Sequence, residues 1–222
     1  IEDVLATQMA EEINKHVLQS LIIVSTRFKV TGTSPKGVLD LSDTSVSAPE
    51  RGRLLYQFMC EMNASVQRNT SYSATYAVAS SRVAAMLASS GWMNQANDGT
   101  VPENAYGRLN NGLPLYCDVN SPVDYVIVGV KDDFGGMESV GSLFYAPYTE
   151  GLDLESKEHV GAFKVIVDPE SLQPKIALLV RYALCVNPYT TGSTDKEARV
   201  VDASNFDLFA GRSQMSCLLG VK

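Results

Sequence analysis

The chain has 222 residues and a mass of 24.0 kDa, with 45% hydrophobic and 19% charged residues, which suits one large domain that can bury a core without staples. A net charge of -7 and a pI of about 4.9 argue against a dedicated nucleic-acid binder, because an acidic surface repels phosphate backbones. The charged share is slightly low for a globular protein, as in a chain that hides part of its surface against partners.

The spacing predicts a long helix over residues 2 to about 24. Ile1, Leu5, Met9, Ile13, Val17 and Leu21 recur every four residues, and Val4 and Leu18 widen the stripe. At 1.5 Å per residue the helix is roughly 30 Å long, a strut with one apolar side. That side is expected to be core. Residues 31–37 ("TGTSPKG") and 42–50 ("SDTSVSAPE") carry loop chemistry, with a short strand at "VLDL" between them. A second helix is expected over about 50–69, with Leu55, Phe58, Met62 and Val66 inward and Leu54 and Met59 beside them. "ATYAVAS" (74–80) reads as a buried strand. A short helix then starts at Ser80 or Ser81 and stops at Gly91. Trp92 is expected at the edge of the core, at the head of a polar loop running to residue 105.

Strands dominate the rest: "YGRL", "LPLYCDV" after a tight turn at "LNNGLP", "DYVIVGVK", "GSLFYAPY", "AFKVIV", one long strand between Pro174 and Pro188, and a closing "SCLLGV". The segment 190–210 is polar apart from Phe206, Leu208 and Phe209. Helix, strand, helix followed by many strands makes the fold class α+β, with an α/β layer early in the chain.

Catalytic chemistry is hard to find. Cys60, Cys117, Cys185 and Cys217 have no metal-like spacing, and only His16 and His159 could join them, so free thiols and no metal are expected. "VGSLF" is not a nucleophile elbow, and "KDDFGG" (131–136) lacks the alternating oxygens of a calcium loop and reads as a charged hairpin tip. No signal peptide is expected, and the sequence holds no apolar run of membrane-spanning length and no nucleotide-binding glycine motif. No catalytic, cofactor-binding or metal residue is assigned, and the chain is not expected to be an enzyme.

Four stretches in order, "LATQMAEEINKHV", "GSLFYAPY", "DPESLQPKIALLVRYALCVNPY" and the terminal "LLGVK", resemble the major capsid protein family of T-even-type tailed bacteriophages. Tyr145, Ala146, Pro147 and Tyr148 match one family motif. Gln173, Pro174, Arg181, Tyr182, Asn187 and Pro188 match the next, with Lys175 inside it. The resemblance implies the Hong Kong 97-type (HK97-like) capsid fold. Residues 1–44 would be a peripheral domain with a spine helix, 45–150 an axial domain, and 151–222 a return to the peripheral domain. It implies a shell protein that self-assembles into hexamers and pentamers around the genome, in virions assembled in host cytoplasm, with vertex, portal and decoration proteins as further partners. No specific nucleic-acid contact and no membrane are implied. Pro174 and Pro188 would mark where the long strand enters and leaves its sheet. Arg181 and Lys175 would face a neighbouring subunit or the spine helix; a plain solvent-facing strand side is the competing reading. Family members carry an N-terminal arm and an extended loop before the spine helix, and neither is expected in this chain. Residues 190–210 look unlike the family. The alternatives are a paralogue confined to capsid vertices, a nanocompartment shell protein, an α/β enzyme and a non-viral scaffold module.

Overall fold

The computed structural model describes residues 2–29, 37–95, 104–134, 138–148, 161–167, 174–188 and 203–222. Among them are three helices, α1 (Glu2–Val24), α2 (Ala48–Thr70) and α3 (Ser81–Ser89). The central element is an eight-stranded mixed sheet. It is built from β1 (Ser25–Arg27), β2 (Val38–Leu39), β3 (Tyr76–Ser80), β4 (Met93–Asn94), β5 (Gly107–Leu109), β6 (Pro114–Asp118), β7 (Tyr125–Gly129) and β14 (Ser213–Val221). The order is β1-β14-β7-β3-β6-β5-β4, with β2 also on β14. Three two-stranded ribbons stand apart from this sheet. They pair β8 (Asp132–Phe134) with β9 (Glu138–Val140), β10 (Leu143–Pro147) with β13 (Tyr182–Val186), and β11 (Gly161–Val167) with β12 (Pro174–Val180). No helix among the described residues is long and apolar enough to cross a membrane.

Both faces of the sheet are covered, so its inner strands read as unbroken apolar runs rather than alternating ones. Period-2 geometry divides each run between two cores. Ala77, Ala79, Leu115, Val126, Val128, Cys217 and Leu219 pack with Leu55, Met59, Met62 and Val66 of α2 and with Val83 and Leu87 of α3. Val78, Tyr125, Ile127 and Leu218 turn to the other side, against Leu21 near the end of α1. A third cluster joins Val24, Val186 and Phe209.

Helix α2 starts at Ala48, close to the expected 50, held by a cap that the sequence reading did not name. The Ser47 backbone N–H donates to Glu50 Oε2 at 3.1 Å and its hydroxyl donates to the same oxygen at 2.8 Å, closing a capping box. Those bonds, the hydroxyl first, hold the Glu50 carboxyl below the usual carboxylate range. A carboxyl whose native pKa is lowered contributes stability above its unfolded value, about 4.3, and loses that contribution as pH falls through the lowered native value. Glu50→Gln should therefore flatten the acid limb of the helical signal below about pH 4, followed by circular dichroism. A limb unchanged by the substitution would show that the box does not hold the helix start.

The structure departs from the sequence reading in four places. The apolar stripe of α1 is not core along its length: Leu5, Met9, Ile13 and Val17 are only half-buried and Val4 is 61% exposed, while Leu21 and Val24 are buried. Ile1 lies outside the described residues. Two short strands, β1 and β4, were not expected; β1 follows α1 without a loop and lies parallel to β14. Within α2, Met59 rather than Phe58 is fully buried, and Leu54 is 40% exposed. The expected long strand from Pro174 to Pro188 is interrupted at Arg181, so β12 and β13 join different ribbons.

Other expectations hold. The turn after β5 closes with Gly112 N–H donating to Leu109 O at 2.8 Å, Gly112 having a φ of 87°. All four cysteines are free thiols, and burial pushes the Cys217 thiol up to about 12. Trp92 sits at the core edge against Tyr56, ring centroids 5.2 Å apart, with the Arg53 guanidinium 5.2 Å from its ring.

Candidate functional site

Strands from the two motifs, more than thirty residues apart in sequence, are brought together as one antiparallel ribbon. Strand β10 pairs with β13 in the register Leu143 to Val186, Tyr145 to Leu184 and Pro147 to Tyr182. Aromatic residues on both strands, with β-branched Val186 on β13, favour this pairing. Its inner end is fixed in the core. Leu184 and Val186 are buried, and Asn187, also buried, donates from Nδ2 to Gly141 O and from its backbone N–H to Ser142 O, both at 3.0 Å. Pro188 follows directly, so the chain cannot extend the ladder there.

The outer end of the ribbon is polar-aromatic and open. The Tyr145 and Tyr182 rings lie 5.4 Å apart, and burial raises the Tyr145 phenol above its ordinary pKa. The Tyr182 hydroxyl lies 2.8 Å from His16 Nδ1, which ties β13 to α1. Beyond them the Tyr148 N–H donates to Arg181 O at 3.0 Å, and the Arg181 guanidinium stands 5.9 Å from the Tyr148 ring centroid. Tyr148 is 43% exposed and Arg181 is exposed. A cation–π contact at such an exposed place is worth about 0.5–1 kcal/mol. It orders the arginine rather than stabilising the fold.

Tyr145, Pro147, Tyr148, Arg181, Tyr182, Asn187 and Pro188 are thus gathered on one ribbon. Pro174 and Lys175 are elsewhere, opening β12 opposite Val167 and Ile166 of β11. Gln173 lies outside the described residues. The link to α1 is made by Tyr182 through His16, a contact that the sequence did not suggest. The β11–β12 ribbon leaves Val165, Val167 and Leu179 more than half exposed. Among the described residues no group of three or more His, Cys, Asp or Glu side chains is placed to hold a metal ion. The arrangement is a set of partly exposed aromatic, cationic and apolar side chains on two ribbons, and aromatic residues and arginine are types enriched at protein–protein interfaces.

The family described as Major capsid protein Gp23 matches residues 1–221, and the chain belongs to that family. It is 62% identical over 224 residues to a protein of Escherichia phage AR1 and 61% identical to one of Enterobacteria phage T4, both called "Capsid vertex protein". Each alignment covers 100% of this chain and 52% of the relative. A "Major capsid protein" of Salmonella phage ViI is 26% identical over 218 residues, covering 90% of this chain and 45% of that protein. The chain spans about half the length of the curated relatives it matches.

Proposed function

We propose that the chain is the shell-forming part of a structural capsid subunit of a tailed bacteriophage, built to abut copies of itself in hexamers and pentamers around the genome. The observation that carries this reading is the family match over residues 1–221, together with relatives named as capsid proteins along the whole chain. The HK97-like fold, the peripheral part (1–44 with 151–222) and the axial part (45–150) belong to the same proposal, with α1 as spine helix. So do the virion as the chain's place, assembly in host cytoplasm, and vertex, portal and decoration proteins as further partners. A shell needs no turnover; it needs modest contacts repeated through head-to-tail interfaces that close rings. Acidic charge suits a wall that must not hold DNA tightly.

A second reading, a subunit confined to the five-fold vertices, is supported by one contrast. The relatives at 61 and 62% are called vertex proteins, and two called major capsid proteins are at 26 and 24%. Electron microscopy of the purified protein tests both. Polyhedral shells or hexamer sheets fit the first reading and five-membered rings alone fit the second. Monomers at every concentration contradict both.

On this reading Arg181 works at the seam between subunits. Arg181→Ala should lower the yield of closed particles about ten-fold while moving the chain's own unfolding free energy by less than about 1 kcal/mol, since among the described residues its side chain is seen to lose an exposed cation–π contact. Wild-type particle yields would remove Arg181 from the interface.

A further inference from the structure

Directly paired residues of an antiparallel ribbon share a face. The register of β11 with β12 therefore puts Ala162, Lys164 and Ile166 on the same face as Lys175, Ala177 and Leu179. On β12 that face is the open one. Ala177 and Leu179 are exposed, whereas Ile176, Leu178 and Val180 on the other face are half-buried. Val165 and Val167 of the other face are exposed too, but no charged residue falls on that face. Neither strand contains an acid, in a chain of net charge -7.

The first four turns of α1 have the opposite character. Residues 2–14 contain Glu2, Asp3, Glu11 and Glu12 and neither lysine nor arginine. By helical spacing Glu2 stands one turn before Leu5 and Glu12 one turn after Met9, so both border the half-buried stripe of Leu5, Met9 and Ile13. Glu12 also reaches Lys15 at 2.8 Å, an exposed pair weak enough to exchange. The lengths agree. Residues 2–17 of α1 span about 24 Å at 1.5 Å per residue, and the seven-residue ribbon spans about 23 Å. Laid along this helix, the open ribbon face sets apolar positions against the stripe and lysines against carboxylates. One chain does not do this itself: Leu179 is 52% exposed and the α1 stripe is only half-buried. We infer that the open face of β11–β12 docks along the first four turns of α1 on a second copy of the chain, an inference that rests on the capsid reading and names the surfaces that meet. Two different patches form the contact, so it is head-to-tail and can close rings. A strip about 24 Å by 10 Å is on the order of 250 Å² a side, against about 800 Å² per partner in a standard stable complex. The contact therefore holds no dimer alone and counts when repeated around a ring.

Photo-crosslinking in the whole chain tests this. A chain carrying p-benzoylphenylalanine at Leu179 is irradiated in a concentrated mixture with an excess of wild-type chain labelled with a heavy isotope. The crosslinked peptides should be labelled ones from residues 2–17. Crosslinks confined to the unlabelled chain itself, crosslinks to other labelled segments, or none, overturn the inference. Charge exchange is the second arm. Lys164→Glu with Lys175→Glu should lower particle yield about ten-fold, as should Glu2→Lys with Glu12→Lys, because each sets like charges face to face. All four together should bring the yield back to within about three-fold of wild type. A quadruple variant no better than either double, or doubles at wild-type yield, overturns the inference. Circular dichroism of each variant, expected to match the wild type, keeps folding apart from assembly. Where the wild-type chain forms no particles, the capsid reading fails and the crosslinks alone decide the docking. Particles with crosslinks elsewhere sink the docking and leave the capsid reading standing.

Discussion

Val24→Asp should leave the chain unfolded in buffer, whereas Leu5→Asp, on the same helix, should give a folded and soluble chain. Val24 is 0% exposed at the end of α1 and packs with Val186 and Phe209. An aspartate there replaces a buried apolar side chain, worth about 1.5–3 kcal/mol, with a carboxyl withdrawn from water, at a cost of several kcal/mol more. The sum takes most of the 5–15 kcal/mol by which a domain of this kind is stable. Leu5 is only half-buried, and its carboxylate replacement can reach water. Its effect should appear in assembly instead, because a half-exposed stripe of Leu5, Met9 and Ile13 offers apolar area that the described residues leave partly uncovered. Urea unfolding followed by circular dichroism, then particle yield, separates the two. Two equally unfolded variants would mean that the whole stripe is core.

Gly52→Val should destabilise by about 2–3 kcal/mol, the range for overpacking a tight contact. Gly52 is buried inside the first turns of α2, where glycine is a poor helix former. Its value is the close approach of α3: a Cβ would stand 2.6 Å from Met86 O and 2.8 Å from Ser90 Cβ. Neither helix can easily retreat, since Leu55, Met59, Val83 and Leu87 lock the pair against the sheet. The urea midpoint should fall with little change in slope. A gain in stability, as expected where a helical glycine is replaced in open space, would show that the two helices can slide apart.

Helices and apolar strands were legible in the sequence because their periods are local properties. The α2 face and the glycine turn at Gly112 follow from residues within a few positions of one another; the capping box at Ser47 and Glu50 is just as local but was not read. Burial along α1 was not legible. A four-residue repeat says which residues face one way, but not whether this chain or another covers them, and here cover begins only at Leu21. The place of β14 was equally hidden. "SCLLGV" marks a strand, but only tertiary pairing reveals that it touches β1, β2 and β7 at once. The break at Arg181 was missed because the run from Ile176 to Val186 keeps strand-like residues throughout, and the change of partner occurs in the ladder. The motif residues of β10 and β13 were identified by resemblance, and their antiparallel pairing then joined them to His16 of α1.

The central claim is that the open end of the β10–β13 ribbon and the N-terminal stripe of α1 are seams between shell subunits. A cryo-electron microscopy map of the phage particle, at a resolution that shows side chains, tests this most directly. The account predicts that Tyr148, Arg181, Leu5 and Met9 each lie within contact distance of an adjacent subunit. A map in which these four face open solvent on every copy would contradict it.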